Sequence, residues 1–551
     1  MIDSTHLLLE AQRLLAAGQT DQAAQLAESV LMSNPQAGMA LTLLGHVSVR
    51  RGNGQLAMLL WETATRAAPT LPEPWVALGE ALYHAGQIDK TVVAFREALN
   101  RGPELHDVRI NLGLALQRLG RHEEAIGELR RALPHRPDNA EGSLTLATSL
   151  HELGRSHQAI DVLREAAQRH PTNVKIQSNL GVLHEKLDRL EDAIEFYARA
   201  LALNPNDPQT LFNRGSSLIQ LLRLNEARAD WLAATRLDPN NATIKNNLAI
   251  LALLDGNLKE GFELFESRWA VRHQKFPVPY PEWDGSALGD KHLLLYVEQG
   301  LGDVLQFCRY VPLIKKLHPR CRITIATLPT LHDLLRSLPG LDGVTNVAPP
   351  YPQAACTLSL LSVPRVLGTT METIPANVPY LHADAALVAK WSARIKKDTP
   401  EGKPRIGLFW RGTQVDPNRT IKLAELAPVI QAAPHASFIS LQKGEGEEEL
   451  GTFPHKVLHI GHELMSYSDT AAALASIDLL VTIDTSIAHA AGALARPTWT
   501  FLPFRPDWRW LTERQDCPWY PTMRLYRQTA RKSWGEAIQE LATGLSQHSF
   551  S

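Results

Sequence analysis

Seven prolines stand 34 residues apart: Pro35, Pro69, Pro103, Pro137, Pro171, Pro205 and Pro239. Proline removes a backbone donor and disfavours helix in the residue before it, so each one ends a helix. Other positions keep the same register. Small residues recur at Ala57, Ala125, Ala159, Ala193 and Ala227, and at Gly45, Gly79, Gly113, Gly181 and Gly215. A bulky position recurs as Trp61, Phe95, Leu129, Leu163, Tyr197, Trp231 and Phe265. Each period therefore reads as two helices that approach closely at the small residues, with the bulky residue filling the gap to the next pair. The expected product is an α solenoid in which each unit touches only its neighbours.

These spacings resemble the tetratricopeptide repeat over roughly residues 4 to 272. The last unit drifts, with His273 where proline would fall and Gly261 in place of alanine. The sixth residue of each unit is expected on the concave face, and four are asparagines: Asn111, Asn179, Asn213 and Asn247. An amide both donates and accepts, so such a row can hold an extended peptide by its backbone. In proteins of this kind the resemblance implies a polypeptide partner. Leu43, Ala77 and Thr145 interrupt the row, and polar cover of an exposed face is the competing reading.

With 551 residues the chain has room for three or four domains. Lysine plus arginine (56) nearly cancels aspartate plus glutamate (58), which argues against a broad nucleic-acid or acidic-membrane surface. Cys308, Cys321, Cys356 and Cys517 form no C-x-x-C pair, so neither a zinc knuckle nor a dithiol site is expected. The first residues, MIDSTHLLLEAQRLL, read as an amphipathic helix and not a signal peptide. No apolar run reaches membrane-spanning length, and a soluble cytoplasmic protein is the expectation.

The proline-dense stretch Lys275 to Trp283 separates the repeats from a different pattern. Strand-like runs (HLLLYVEQ, CRITIAT, VTNVA) alternate with helical ones, and a second alternating set begins near Pro404 with RIGLFWRG, ASFISLQKG, VLHIGHE and DLLVTID. This predicts two α/β subdomains with parallel sheets and a cleft at the carboxyl ends of their strands. The expected domains are a solenoid (1–275), a linker (276–289), a first α/β half (290–395) and a second (396–551). The stretch 375–403 reads as a polar helical connector.

Four loops carry the chemistry at strand ends. Glu298-Gln299-Gly300-Leu301-Gly302-Asp303 turns tightly on two glycines and sets Asp303 at a helix start, where a carboxylate can take a proton from a hydroxyl. Trp410-Arg411-Gly412-Thr413 and Asn418-Arg419-Thr420 set two arginines near one strand end, where both could pair with phosphate oxygens; a solvated loop is the competing reading, strong for Arg419 and weaker for Arg411. Ser440-Leu441-Gln442-Lys443-Gly444 ends a strand on Lys443, and the acidic run Glu445 to Glu449 reads as a solvated helix start. Asp484-Thr485-Ser486 follows a buried strand and opens an alanine-rich helix. Taken alone it is an ordinary N-cap, but its free amides and hydroxyls also suit a phosphate. Downstream, Trp508-Arg509-Trp510 could flank a base or sugar, with packing favoured for at least one of the tryptophans.

The G-L-G-D turn, the L-Q-K-G strand end and the D-T-S-I-A-H-A-A-G-A-L-A-R-P block together resemble a GT-B glycosyltransferase of the heptosyltransferase-like group, over about residues 290 to 530. The resemblance implies a GT-B fold of two Rossmann-like subdomains, an acceptor side first and a nucleotide-sugar donor side second. It implies Asp303 as general base and Lys443 near the donor phosphates. Thr485 and Ser486 would contact the diphosphate, with Asp484 as the cap that holds their loop. His489 would lie one turn into the helix near phosphate or sugar, and Gly300, Gly302 and Arg411 would complete the donor site. No Asp-x-Asp occurs in the chain, so a metal is not expected; helix dipole, lysine and arginine would stabilise the leaving phosphate. No cofactor beyond the nucleotide-sugar substrate is expected. The combined architecture suits inverting transfer to a polypeptide presented by the repeats, flagellin or another surface protein being a natural acceptor. Transfer to lipid or polysaccharide with the repeats as a docking arm, and a scaffold without catalysis, stand as alternatives.

Overall fold

The computed structural model describes residues 4–272, 278–298, 300–412 and 417–550. His273 and the first part of the expected linker, together with Gln299 and Thr413, lie outside the described residues. The chain divides into two compact units, Met1–Leu218 and Ile219–Ser551.

The first unit is a succession of helix pairs. Helices such as Thr20–Ser33, Gly54–Ala67, Ile88–Arg101 and Leu190–Leu203 each end two residues before one of the periodic prolines. Two residues after the proline, a side chain caps the next helix. Asn139 accepts from the Gly142 amide at 2.7 Å, Asn173 from Ile176 at 3.2 Å, and Asp207 from Thr210 at 3.1 Å. Proline and cap thus act as one stop-and-start signal. The small residues face the bulky ones as expected. A Cβ on Gly181 would lie 2.5 Å from the Tyr197 ring, and one on Gly113 would lie 2.6 Å from Leu129. Within each pair the turn needs a left-handed residue. Positive φ recurs at Gly18, Gly52, Gly86, Gly120, Gly154, Asp188, Leu222 and Gly256, a 34-residue period that crosses into the second unit.

The second unit holds the last helix pairs and two parallel sheets. The first sheet contains β1 (His292–Tyr296), β2 (Arg322–Thr327), β3 (Gly343–Asn346) and β4 (Cys356–Ser359), in the order β3-β2-β1-β4. The second contains β5 (Arg405–Leu408), β6 (Ser437–Ser440), β7 (Leu458–His459), β8 (Leu479–Ile483), β9 (Thr498–Leu502) and β10 (Met523–Arg527), in the order β10-β9-β8-β5-β6-β7. Every described ladder pair is parallel, so crossover helices must cover the faces. This accounts for β8, which is buried along its whole length. Strand order reverses beside β1 in one sheet and between β8 and β5 in the other, and such switch points open a crevice at the carboxyl ends.

The change of sequence period near residue 275 and the change of packing at residue 218 are separate events. The last repeat helices pack on the α/β region: the Phe262 ring lies 5.5 Å from Trp508, edge to face, and Arg268 donates to Glu298 at the end of β1 at 2.7 Å. Arg268 and Glu298 are both nearly inaccessible, so this ion pair is sealed inside the unit. The expected connector contains the Ala385–Asp398 helix, which packs on the second sheet's side through Trp391 to Asp469 (3.1 Å) and Arg394 to Glu463 (2.7 Å). The four cysteines are free and buried. Among the described residues no helix is long and apolar enough to cross a membrane.

Candidate functional site

A cavity of about 700 Å³ lies at the carboxyl ends of β1, β5, β6 and β8. The expected base Asp303 lines it, and so does every residue expected to bind the donor: Gly300, Gly302, Arg411, Lys443, Thr485, Ser486 and His489. None of the four asparagines does.

Two short helices face each other there. Leu301–Phe307 follows β1 with Gly300 as its N-cap, and Ser486–Ala493 follows β8. Gly302 lets them approach, since a Cβ at that position would sit 2.8 Å from the His489 ring. The cap of the second helix differs from expectation. Thr485, in extended conformation, is the N-cap, and no side chain caps the helix. Asp484 instead turns toward Arg419, whose Nη1 lies 3.1 Å from its Oδ2. Arg419 is accordingly a lining residue of the cleft and not a solvated one.

The carboxylates and guanidiniums alternate through the cleft. Arg509 Nη2 donates to Asp303 Oδ1, and its Nη1 donates to Asp507 Oδ1 at 2.8 Å. Its Nε donates to Gln306 at 2.7 Å, and its plane lies over the Trp508 ring at 4.4 Å. Arg419 Nη2 approaches Asp507 at 3.9 Å. Burial raises the Asp303 carboxyl above its usual range, and the Arg509 charge offsets only part of that. Burial likewise raises Asp484, to about 6, against Arg419. At Asp507 burial is outweighed by Arg509 and Arg419, which hold it low.

Arg411 lines the cleft, yet its guanidinium is gathered by carboxylates, with Glu449 at 3.2 Å, Glu448 at 3.6 Å and Glu445 at 3.8 Å. The acidic run is thus an anchor for Arg411. Glu449 also accepts from the Leu423 amide at 2.6 Å, so the run is more than a solvated helix start. Lys443 behaves differently. Its Nζ donates to the Leu464 carbonyl, and among the described cleft cations it alone has no carboxylate partner. An anion entering the cavity meets an uncompensated charge there.

Ser486 accepts from the Tyr467 hydroxyl, which fixes its side chain at the helix start. His489 is buried, stacked on Trp510 with ring centroids 5.2 Å apart and 3.0 Å from the Tyr520 hydroxyl. Burial, reinforced by Arg509, pushes its pKa down to about 3. It is therefore a neutral imidazole, able to hydrogen-bond but not to carry charge to a phosphate. Trp508 and Trp510 are both buried, so both are packing residues. Among the described residues no group of three or more histidines, cysteines or carboxylates is arranged to hold a metal ion.

In the repeats, Asn111, Asn179, Asn213 and Asn247 each occupy the sixth position of a first helix and are half-buried. Asn179 donates to its own helix at Lys175 (2.8 Å), and Asn213 accepts from Gln209 (2.9 Å).

Sequence models of the tetratricopeptide repeat match residues 8–72, 144–208 and 212–270, and a second such model matches 82–148. The N-terminal half carries tetratricopeptide repeats. In such an array each unit contacts its neighbours and the stack presents one extended concave surface. The chain is 28% identical over 330 residues to protein FlbA of Caulobacter vibrioides, covering 54% of each chain. It thus spans about half the length of the curated relative it matches. Among solved structures it is similar to YrrB, described as a TPR protein with an unusual peptide-binding site (18% identity, TM-score 0.33, 34% of this chain and 97% of that one). It is also similar to PilF of Pseudomonas aeruginosa (21% identity, TM-score 0.34, 37% and 93%) and to MamA of Desulfovibrio magneticus RS-1 (20% identity, TM-score 0.30, 30% and 95%).

Proposed function

We propose that this protein is a GT-B glycosyltransferase that moves a sugar from a nucleotide-sugar donor to a polypeptide acceptor, without a metal and with inversion. The observation that carries this reading is the meeting of Asp303 from one sheet with Lys443, Thr485 and Ser486 from the other in one cavity. Asp303 takes the proton of an acceptor hydroxyl, whose oxygen attacks the anomeric carbon. The bond from that carbon to the phosphate oxygen breaks on the opposite face. The nucleotide leaves with the electron pair, its charge met by Lys443, the amides at the start of Ser486–Ala493 and the Thr485 hydroxyl. Burial raises the Asp303 pKa, which makes its carboxylate a stronger base for that proton, and the Arg509 charge opposes the rise.

The repeats supply the acceptor side of this reading, as a scaffold for polypeptide; surface and motility proteins such as flagellin are the acceptors to try first. The test is to incubate the full chain with a panel of nucleotide sugars and a lysate of its own cells, and to look for sugar-mass shifts on proteins. Transfer that disappears in Asp303→Asn supports the reading. Sugar found only on lipid or polysaccharide moves the acceptor to another class, and donor binding without turnover leaves a scaffold.

A further inference from the structure

Lys443 follows β6 and Ser486 follows β8, yet one short stretch of chain holds both. The Lys443 ammonium donates to the Leu464 carbonyl, and a little further on the Tyr467 hydroxyl donates to Ser486 Oγ. Lys443 and Ser486 line the cleft, whereas Leu464 and Tyr467 stand behind its lining. The stretch is itself well anchored. Tyr467 opens the helix Tyr467–Ala475, whose start is a reciprocal cap: Ser466 Oγ accepts from the Asp469 amide at 3.1 Å, and Asp469 accepts from the Ser466 amide at 3.1 Å. Asp469 also accepts from the Trp391 indole, on the Ala385–Asp398 helix, at 3.1 Å.

The direction of these bonds matters. A serine hydroxyl has one proton to give and two lone pairs that accept. The Tyr467 phenol occupies one lone pair, and among the described residues Ser486 Oγ has no other hydrogen-bond partner, so its own proton is unspent. Burial pushes the Tyr467 phenol above its ordinary value, so it stays protonated and keeps donating. Lys443 likewise spends one N–H on Leu464 and keeps the others. Both groups therefore line the cleft with protons left to give. That suits ionised phosphate oxygens, which only accept.

We propose that Tyr467 is a positioning residue for the donor: by donating to Ser486, it commits that hydroxyl to donate in turn to a phosphate of a nucleoside diphosphate or its sugar ester. Tyr467 itself touches no substrate. This role rests on the reading of the cleft as a nucleotide-sugar site, and it adds a residue behind the cleft wall on which donor affinity depends.

The test is a double-mutant cycle on the full chain, read by calorimetric titration with UDP, GDP, CDP, ADP and dTDP and with their sugar esters. For the nucleotide that wild type binds, Ser486→Ala should weaken binding about tenfold and Tyr467→Phe about fivefold. The double variant should bind no more weakly than Ser486→Ala alone, because Tyr467 acts only through that hydroxyl. A phenol that merely props the wall would weaken the double variant further. Affinity unchanged in either single variant, or losses that multiply in the double one, overturns the positioning role while the donor-site reading stands. The Ser486→Ala arm decides this even where Tyr467→Phe fails to fold. A wild type that binds none of these nucleotides overturns the donor-site reading, and the role of Tyr467 with it.

Discussion

Arg509 donates to the carboxylate of Asp303 across 206 residues of chain, and so ties the loop after β9 to the helix after β1. The contact opposes the effect of burial on the proposed base. Arg509 lowers the Asp303 pKa against the upward push of burial, so removing the cation must raise it further. In Arg509→Gln the acidic limb of kcat/KM should move to higher pH. Asp303→Asn should lose about 10²–10⁴-fold in kcat at all pH values. A pH–rate profile of the two variants checks both, and an unmoved limb in Arg509→Gln would falsify the assignment of Asp303 as base.

His489 makes stability depend on pH. Its folded pKa, about 3, lies below the ordinary value of 6.5. As pH falls through that ordinary value the unfolded chain takes up a proton that the folded one refuses. Stability is therefore complete above it and falls by about 1.4 kcal/mol per pH unit below it, down toward the folded pKa. Denaturant titrations at pH 7, 6 and 5 should give a shallower loss for His489→Gln than for wild type. Equal slopes would mean that the imidazole is protonated in the fold.

Lys443 is the cleft cation with no carboxylate partner among the described residues. Lys443→Met keeps much of the stem and removes the charge. The KM for donor should rise about tenfold, with Asp303-dependent chemistry retained at saturating donor. Arg411→Met should weaken donor binding less, because Glu445, Glu448 and Glu449 already neutralise Arg411. A larger effect at Arg411 than at Lys443 would reverse their roles.

Gly181 tests the packing rule of the repeats. An added methyl would lie 2.5 Å from the Tyr197 ring, and Tyr197 is fully buried. Gly181→Ala should destabilise the helical unit by about 1–3 kcal/mol, although alanine is the better helix former. Gly127→Ala is the control, since nothing lies within 4 Å of its added Cβ. Urea unfolding followed by helical circular dichroism separates them.

The sequence was most legible where local chemistry repeats. The prolines and the small-to-bulky pairs were readable because each acts within one period. The left-handed turn residues carry the same period, but Asp188 and Leu222 stand where glycine usually does and blur it. The main strands of both sheets were also legible. β4 (CTLS) is short and half polar, β9 (TWTFL) starts directly after the proline that closes a helix, and β10 (MRLYR) carries an arginine at each end of its apolar pair, so none of the three was read as a strand. In the cleft, residues whose role is backbone geometry, such as Gly300 and Gly302, were visible at turns. Pairings across the fold were not. Asp484 reads locally as a cap, and only the approach of Arg419 turns it away. Arg509 was read for its neighbouring tryptophans, whereas its partners are Asp303, Gln306 and Asp507.

The proline-plus-cap signal makes the array interchangeable by the period. Cutting out 34 consecutive residues within it, or any multiple of 34, brings a small residue opposite a bulky one again and a stop beside a start, whereas a cut that is not a whole number of periods puts the downstream side chains out of register. Such a chain can grow or shrink by gene duplication or loss only in whole steps. The reach of its binding surface is accordingly quantised, and a partner that spans several units reads the chain as a ruler with one fixed graduation.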